Sequence, residues 1–340
     1  MAQAKVTSAE VAARAGVSQS AVSRVFTPGA SASAKTVEKV KAAAEELGYR
    51  PNVLARAMVS GKSRIIGLVV AYLNNHFYPV ALELLSNELQ KQGYHVLIFT
   101  APNSVDGVDN LVQELMDYQV DGIIAASVSM SSTLADRARL AGIPVVLFNR
   151  GLDGSGLSAV TSANIEGGQM VAEFLVAGGH KHIAHITGWS GSSTGRDRAV
   201  GFKSGLAAVG LPLLAEIDGL YSREAASEAA RDLMSQAQKP DSIFVGNDHM
   251  AFAVMDTLRF ELGVSIPDDV SIVGYDDVPM AAWAAYDLTT VRQPVNKMVN
   301  TTIATLLGQI NDPDRKPEKT EISGPLILRG SARRPEGWTS

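Results

Sequence analysis

The spacing of apolar residues divides the chain into two parts near residue 64. Up to that point apolar residues recur every three or four positions, which is the period of short amphipathic helices. Beyond it, uninterrupted apolar runs alternate with helical stretches, which indicates parallel β-strands covered by helices on both faces. About 275 residues of this second pattern exceed a typical single domain, so we expect two lobes.

The apolar runs and the helical stretches of the second part predict its elements. The predicted strands are Ile65–Ala71, His95–Thr100, Gly122–Ala126, Pro144–Asn149, His182–Thr187, Ser242–Val245 and Ser271–Tyr275. The predicted helices lie near Val80–Gln92, Val105–Tyr118, Thr133–Ala141, Ile165–Ala177, Arg196–Val209, Arg223–Ala237 and His249–Leu262. Folds of this class bind ligands beyond the carboxyl ends of their strands.

The first part predicts three short helices. Residues 7–10 form a capping box, in which Thr7 caps the first helix and the Glu10 side chain bonds back to it. Gly16 ends that helix, and Ser18 is a suitable N-cap for a second helix that runs to about Phe26. A third helix is expected over Lys35–Leu47, between Ser33 and Gly48. Two helices joined by a short glycine-containing turn are typical of DNA-binding proteins.

The second helix carries the residue types that read DNA bases. In a helix-turn-helix unit the N-terminus of this helix enters the major groove. Gln19 and Ser20 lie at that end, with Ser23 and Arg24 one turn later. Gln bonds adenine with two hydrogen bonds and Arg bonds guanine in the same way. Spacing alone leaves open the alternative of an ordinary helical hairpin with a polar surface.

The charge distribution favours the DNA-binding interpretation. The whole chain carries a formal charge of −5, which taken alone argues against a nucleic-acid partner. Residues 1–64 contain ten Lys and Arg against four Glu, a net charge of +6, and the remaining residues carry −11. A basic head on an acidic body is typical of a nucleic-acid-binding module joined to a second function.

Composition excludes several other classes of protein. There is no cysteine, which excludes disulfide scaffolds, thiol catalysis and cysteine-ligated zinc, and we expect neither a metal nor a cofactor. The first residues show no apolar signal-peptide region, and no apolar run approaches the length of a membrane span. The protein is therefore expected to be soluble and cytoplasmic.

The head resembles the DNA-binding headpiece of the lactose-repressor and galactose-repressor (LacI/GalR) family. The similarity covers about sixty residues and lies in the stretches 11–18, 22–25, 33–36 and 48–52. The resemblance implies a headpiece over residues 1–50 and a hinge helix with a linker over 51–63, where Met58 stands at the position of a leucine that wedges into the minor groove. The residues it implies for DNA contact are Thr7, Ser18, Gln19, Ser20, Ser23, Arg24, Asn52, Ala55, Arg56 and Met58.

The body is similar to the effector-binding core of the same family in the stretches 178–183, 198–202, 246–248, 273–277 and 288–291. The implied fold is α/β, a two-lobed periplasmic-binding-protein-like core with parallel sheets, plus a small all-α helix-turn-helix headpiece. The resemblance implies crossovers near Ala163, Val291 and Ser323. One lobe then comprises residues 64–163 and 292–322, the other comprises 164–291 and 323–334, and a tail covers 335–340.

Polar and aromatic residues follow the predicted strands, which suits a polyhydroxylated ligand such as a sugar or a sugar acid. The effector contacts implied by the resemblance are Phe77, Tyr78, Asn149, Thr194, Arg198, Tyr221, Asn247 and Asp276. Purine-binding members have an arginine where this chain has Ser192, which argues against a purine. From the residues alone, the alternative is that Asn164, Asn247 and Asp248 are helix N-caps.

The sequence therefore predicts a transcriptional regulator that is not an enzyme. It is expected to repress by binding a pseudo-palindromic double-stranded DNA operator as a homodimer, under control of a small effector between the lobes. One alternative is an α/β hydrolase that uses the Gly191–Gly195 loop, which matches the G-x-S-x-G pattern around Ser193. A further alternative, a solute-binding protein, is disfavoured by the basic head.

Overall fold

The computed structural model describes residues 6–27, 30–50, 62–71, 73–101, 105–128 and 131–338. The chain forms two compact units, Met1–Ser63 and Arg64–Ser340. Four residues of the implied hinge, Asn52, Ala55, Arg56 and Met58, lie outside the described residues. No helix within the described ranges combines the length and the apolar character needed to cross a membrane.

The first unit contains the three predicted helices, α1 (Ser8–Ala15), α2 (Gln19–Val25) and α3 (Ala34–Leu47). The capping box is confirmed, because the Thr7 hydroxyl accepts from the Glu10 backbone N–H while the Glu10 carboxylate accepts from the Thr7 backbone N–H. Ser18 and Ser33 cap α2 and α3 through their hydroxyls. Gly16 and Gly48 end α1 and α3 in the left-handed conformation that glycine adopts without strain.

The three helices share one small apolar core. Val11, Val22 and Val40 are fully buried, one from each helix. Arg14 of α1 bonds Glu46 of α3 through Nη2 at 2.8 Å, with both side chains more than half exposed. An exposed ion pair contributes little to stability, so the valine core is what holds the three helices together.

The second unit alternates strands and helices as predicted. Its strands are β1 (Ile65–Val70), β2 (His95–Thr100), β3 (Gly122–Ala126), β4 (Val145–Phe148), β5 (Ser158–Ser162), β6 (Ile183–Thr187), β7 (Ala215–Asp218), β8 (Ser242–Val245), β9 (Ser271–Asp276), β10 (Thr289–Arg292), β11 (Lys319–Ile322) and β12 (Leu326–Ile327). Its helices are α4 (Phe77–Lys91), α5 (Val105–Asp117), α6 (Ser132–Leu140), α7 (Asn164–Ala177), α8 (Ser193–Ala208), α9 (Arg223–Ser235), α10 (Asp248–Asp256) and α11 (Val295–Asn311). A π-helical turn, Thr257–Glu261, prolongs α10, and a 3-10 turn covers Pro279–Ala282.

The strands form two six-stranded sheets, one in each lobe. The first sheet has the order β11-β5-β4-β3-β1-β2 and is parallel throughout. The second has the order β12-β10-β9-β8-β6-β7 and is parallel except for β12, which runs antiparallel to β10. We call the lobe of the first sheet lobe 1 and that of the second lobe 2. The prediction of a two-lobed core with parallel sheets is therefore confirmed, and β12 is a two-residue antiparallel strand at the edge of the second sheet.

Five of these strands were not among the predicted apolar runs: β5, β7, β10, β11 and β12. The first four are rich in Ser, Thr and charged residues, which do not form apolar runs, whereas β12 is apolar but only two residues long. Thr289 and Thr290 of β10 are nevertheless fully buried, and their hydroxyls donate to the Arg329 carbonyl and to the Asp248 carboxylate. A buried hydroxyl with a partner costs little, so hydrogen bonding makes these polar strands compatible with the core.

The chain passes between the sheets three times, at positions that lie close together in the two strand orders. It enters lobe 2 between β5 and α7 and returns to lobe 1 between β10 and α11. It crosses to lobe 2 a second time between β11 and β12. The Ser162 hydroxyl at the end of β5 bonds the Tyr275 hydroxyl of β9 at 3.1 Å. The lobes are therefore joined along one side, which leaves the other side as a cleft.

Helices α7 and α8 of lobe 2 pack backbone against backbone. A Cβ added at Gly201 of α8 would collide with the carbonyl group of Ile165 in α7, and one at Gly168 of α7 would collide with the Arg198 carbonyl. This close approach holds the first turns of α8 against α7.

We predict that Gly201→Ala destabilises the second unit by about 1–3 kcal/mol, because backbone atoms have no rotamer with which to move aside. The matched control is Gly308→Ala in α11, where the added Cβ meets only the guanidinium end of Arg315. Replacement of a helical glycine by alanine there is expected to stabilise by about 0.5–1 kcal/mol. Urea unfolding followed by circular dichroism measures both. An unchanged midpoint for Gly201→Ala would contradict the packing described.

Candidate functional site

A cleft between the lobes is lined by polar and aromatic side chains from both. Lobe 1 contributes Asn75, Tyr78, Ser127, Asn149 and Arg150, and lobe 2 contributes Thr194, Arg198, Tyr221, Asn247 and Asp276. Each of these residues lies at or after the carboxyl end of a strand: β1, β3 and β4 in lobe 1, and β6 to β9 in lobe 2. The cleft therefore occupies the place where folds of this class bind ligands.

The cleft is narrow. It comprises about 350 Å³ of space between protein atoms including its mouth, and its enclosed part has room for about one water molecule. A ligand with several hydroxyl groups requires the lobes to separate before it enters.

A buried ion pair lies at the lobe 2 wall. Arg198 Nη2 is 3.5 Å from Asp276 Oδ1, and both side chains are about 3% exposed. The Arg198 Nε donates to Asn164 Oδ1 at 2.9 Å and its Nη1 donates to the Gly246 carbonyl at 2.6 Å. Its guanidinium also lies 3.6 Å from the ring centroid of Tyr275, in a cation–π contact. These contacts leave the guanidinium in one orientation.

Burial has opposite effects on the two members of this pair. It raises the pKa of Asp276 to about 6, although the positive charge of Arg198 and the bonds from Gln293 and Asn75 act to lower it. Burial alone would lower the pKa of Arg198, but the negative charge of Asp276 leaves it raised. Asp276 therefore changes its charge near neutral pH, whereas Arg198 stays cationic.

A second carboxylate lies behind the first. Asp248 is fully buried, accepts from the Thr290 hydroxyl at 2.6 Å and accepts from the Val278 backbone N–H at 3.0 Å. Burial and the nearby charge of Asp276 raise the pKa of Asp248 well above its usual value. The negative charge of Asp276 disfavours ionisation of Asp248, so the charge state of one carboxyl group depends on the other.

The lobe 1 wall offers a hydrogen-bond acceptor. Asn149 Nδ2 donates to the Tyr78 hydroxyl at 2.9 Å, while Asn149 Oδ1 is buried and has no hydrogen-bond partner among the residues that the structure describes. Asn149 has a left-handed backbone with φ 67°, which turns the chain sharply after β4. A buried acceptor without a partner is costly, and a ligand hydroxyl in the cleft would satisfy it.

Three hydroxyl groups, those of Ser192, Thr194 and Tyr221, lie close together at the other side of the lobe 2 wall. The Tyr221 hydroxyl lies 2.9 Å from Thr194 Oγ1 and 3.3 Å from Ser192 Oγ. Ser192 is also the N-cap of α8, accepting from the Gly195 backbone N–H. Tyr221 has φ 55°, and this conformation turns the chain after β7. The Ser192 hydroxyl is therefore hydrogen-bonded to groups of the protein itself.

The structure brings together seven of the eight effector residues implied by the resemblance. These are Tyr78, Asn149, Thr194, Arg198, Tyr221, Asn247 and Asp276. Phe77 does not line the cleft; its ring stacks on Phe148 at 6.2 Å between centroids, within the core of lobe 1.

Three further lining residues, Asn75, Ser127 and Arg150, are not among the effector contacts that the resemblance implies. Asn75 and Arg150 are among the polar residues that follow predicted strands in the sequence. Ser127 directly follows the predicted strand Gly122–Ala126 and was missed, although the strand-end rule applied to that strand would have found it.

The N-cap alternative holds for one of the three residues to which it was applied. Asn247 caps α10, with its Oδ1 accepting from the Met250 backbone N–H at 2.9 Å, and it also lines the cleft. Asn164 lies inside α7 and bonds Arg198, and Asp248 lies inside α10 and bonds Thr290. The cap interpretation is wrong for these two, because each has a buried partner elsewhere in lobe 2.

In the first unit, the side chains at the start of α2 are exposed. Gln19, Ser20, Ser23 and Arg24 all face solvent. Gln19 Nε2 donates to Ser8 Oγ at 2.8 Å and Arg24 Nε donates to the Ser20 carbonyl at 3.4 Å. Thr7 and Ser18 are exposed as well, with their hydroxyls engaged in capping α1 and α2. This helix end offers donors and acceptors of the kinds that contact base edges.

The Gly191–Gly195 loop, on which the hydrolase alternative depends, leads into α8 and does not form a nucleophile elbow. Ser193 is the first residue of α8, and its hydroxyl accepts from the Gly151 backbone N–H at 3.0 Å. The preceding strand β6 ends at Thr187, well before the serine, whereas a nucleophile elbow turns directly off its strand. Across the described residues, no histidine imidazole bonds this hydroxyl. The arrangement does not support a nucleophilic serine.

Comparisons with known proteins agree with both units. Residues 7–52 match the bacterial regulatory proteins of the lacI family, and residues 172–332 match the periplasmic binding protein-like domain. The HTH-type transcriptional repressor PurR of Photobacterium profundum is 28% identical over 327 residues, which cover 95% of this chain and 98% of that protein.

Two solved structures cover nearly the whole chain. The lac repressor dimer bound to operator and the anti-inducer ONPF has a TM-score of 0.87 at 27% identity, covering 96% of this chain and 99% of that one. The transcriptional regulator CelR in complex with cellobiose has a TM-score of 0.72 at 30% identity, covering 96% and 100%. With its helix-turn-helix head and its two-lobed α/β core, the chain belongs to the LacI family of bacterial regulatory proteins.

Proposed function

We propose that the chain is a sequence-specific transcriptional repressor, not an enzyme, whose operator affinity is controlled by a small effector bound between the lobes. The single observation that carries the proposal is the cleft lined from both lobes. A ligand that contacts both walls binds one separation of the lobes better than another, and such differential binding is what control by an effector requires.

The chemistry of the cleft supports a sugar or a sugar acid as the effector. Asn149 Oδ1 and the Asp276 carboxylate can accept hydrogen bonds from hydroxyl groups, and the aromatic residues Tyr78 and Tyr221, which also line the cleft, suit the apolar side of a sugar. CelR, whose solved complex holds cellobiose, is a relative of the whole chain. The relative PurR is a reason to include purines in a screen. Ser192 argues against a purine, because its hydroxyl already accepts a hydrogen bond as the N-cap of α8.

The arrangement of the head supports an operator site in double-stranded DNA. We place Gln19, Ser20 and Arg24 at base edges in the major groove and Thr7, Ser18 and Ser23 at the backbone and groove edge. Asn52, Ala55, Arg56 and Met58 complete the contact as a hinge helix, with Met58 as a minor-groove wedge. The net charge of +6 over residues 1–64 favours phosphate contact by this part of the chain.

The proposed organisation follows the two sheets. Residues 1–50 form the DNA-binding head and 51–63 the hinge. Residues 64–163 with 292–322 form one lobe, 164–291 with 323–334 the other, and 335–340 a tail. The protein acts in the cytoplasm as a homodimer, so two heads read the two halves of a pseudo-palindromic operator. The lac repressor dimer bound to operator, the relative with a TM-score of 0.87, supports this assembly.

The test of operator binding is an electrophoretic mobility shift with DNA from upstream of the protein's own gene. We predict specific binding, and Arg24→Ala should weaken it about 5- to 150-fold through loss of a bidentate base contact. Arg24→Lys keeps the charge but not the planar fork, so it should weaken binding nearly as much with little change in salt dependence. If the lysine variant binds as the parent does, Arg24 contacts phosphate only. If the parent binds no upstream DNA specifically, with or without sugars, the proposed function is wrong.

The test of effector binding is a thermal-shift screen of sugars, sugar acids and purines, followed by calorimetry at several pH values. A ligand at about 100 times its Kd adds about 2.7 kcal/mol of stability, which a screen detects. Hydroxyl donors stabilise the ionised form of Asp276, whose pKa of about 6 means that protons compete with the ligand below that pH. Affinity should therefore fall about tenfold from pH 7.5 to pH 5.

The matched variant for this measurement is Asp276→Asn, which has no titrating group at that position. Its affinity is expected to be lower at pH 7.5 and nearly independent of pH. An affinity of the parent protein that is the same at both pH values would show that the ligand does not bond the Asp276 carboxylate.

A further inference from the structure

The two lobes touch along one lip of the cleft. Ser193 Oγ of lobe 2 accepts from the Gly151 backbone N–H of lobe 1 at 3.0 Å. Arg196 Nη1 of lobe 2 is 3.0 Å from Asp153 Oδ2 of lobe 1. The Arg150 guanidinium of lobe 1 is 5.8 Å from the ring centroid of Trp189 in lobe 2. All three contacts join the segment after β4 to the segment that runs from the end of β6 into the first turn of α8.

The Ser193 bond lies directly beside the cleft walls. Gly151 comes two residues after Asn149, which lines the lobe 1 wall, and Ser193 immediately precedes Thr194, which lines the lobe 2 wall. Because the bond joins the two lobes at 3.0 Å, a movement that separates the walls at this lip breaks it.

The other lip contacts are weaker constraints on this separation. The Arg196 and Asp153 side chains are about half and two-thirds exposed, and each has a second partner, Asp197 and Lys319. An exposed pair of this kind is screened by salt and contributes little. The Ser193 bond is half-buried and uses a backbone group, which fixes its geometry. A neutral bond of this type changes an equilibrium about two- to tenfold.

We propose that Ser193 is a positioning residue that latches the lobes in the closed arrangement and so sets the affinity for the effector without touching it. The proposal rests on the proposed function in one respect, namely that the effector binds between the lobes. Loss of a contact made only in the closed arrangement lowers the closed population, and the apparent affinity falls by the same factor when the open form predominates. Ser193 thereby has a role that does not require nucleophilic chemistry.

The test measures lobe separation directly, with no ligand added. The protein has no cysteine, so Leu140→Cys in lobe 1 and Val209→Cys in lobe 2 place two spin labels at exposed positions without further changes. The doubly labelled protein is diluted with unlabelled protein, and double electron–electron resonance gives the distance distribution. In this background Ser193→Ala should reduce the ratio of closed to open populations about two- to tenfold. Alanine is a good helix former, so α8 is expected to keep its fold.

Two control variants separate the latch from a general effect of the substitution. Ser190→Ala makes the same change at an exposed serine of the same loop and should leave the distribution as in the parent. Ser193→Thr keeps the hydroxyl and should restore the closed population. A Ser193→Ala distribution identical to the parent, or one reproduced by Ser190→Ala, would overturn the proposal.

The distance measurement also separates this proposal from the proposed function. If no sugar binds in the screen, the latch is still tested by the labels alone. If a sugar binds, Ser193→Ala should raise its Kd by the factor by which the closed population falls. The circular dichroism spectrum and the urea unfolding midpoint of Ser193→Ala are measured in parallel as a check on the folding of the variant. An unchanged Kd despite a reduced closed population would show that the latch does not control affinity.

Discussion

The geometry of the cleft depends on how the protein accommodates one buried cation. The Arg198 guanidinium is removed from water and is stabilised by Asn164, the Gly246 carbonyl, Asp276 and the ring of Tyr275. These partners come from the start of α7, the end of β8 and the end of β9, so one side chain ties three elements of lobe 2 together. A buried charge that loses a partner costs several kcal/mol, which makes this arrangement difficult to change piece by piece.

This constraint reaches the place where the chain passes between the lobes. Asp276 accepts from Gln293 Nε2 at 2.7 Å, and Gln293 lies in the crossover between β10 and α11. The neighbouring Asp277 is paired with Arg292 at the end of β10 and with Arg329 near β12. A ligand that alters the charge or position of Asp276 therefore acts directly on a segment that joins the lobes. Binding in the cleft can in this way change how the two lobes are arranged.

Much of the fold follows from local rules applied to the sequence. The capping box at Thr7, the caps at Ser18 and Ser33 and the glycine ends of α1 and α3 depend on neighbouring residues only, and all are confirmed. The polar strands β5, β10 and β11 could not be found in this way, because their burial depends on partners that are distant in the chain. Thr290 can be buried in β10 because its hydroxyl donates a hydrogen bond to Asp248. The pattern of apolar residues over 289–292 does not indicate that bond.

The same distinction applies to the cleft. Most residues of the cleft walls could be predicted because they follow strands or match the family. Phe77 and Tyr78, however, are adjacent in sequence, and only the tyrosine reaches the cleft. Which of two neighbours at the start of a helix faces inward depends on the packing of α4 against Phe148. The raised pKa of Asp276 and the pairing of Ser193 with Gly151 likewise arise from the meeting of distant segments.

The central claim is that a ligand in the cleft and an operator at the head are coupled in one protein. The most direct measurement determines operator affinity with and without saturating effector, and effector affinity with and without operator, at one salt concentration. Linkage requires the two ratios to be equal, and the account predicts a common factor of about 5 to 150. An operator affinity that stays the same when the cleft is occupied would contradict it.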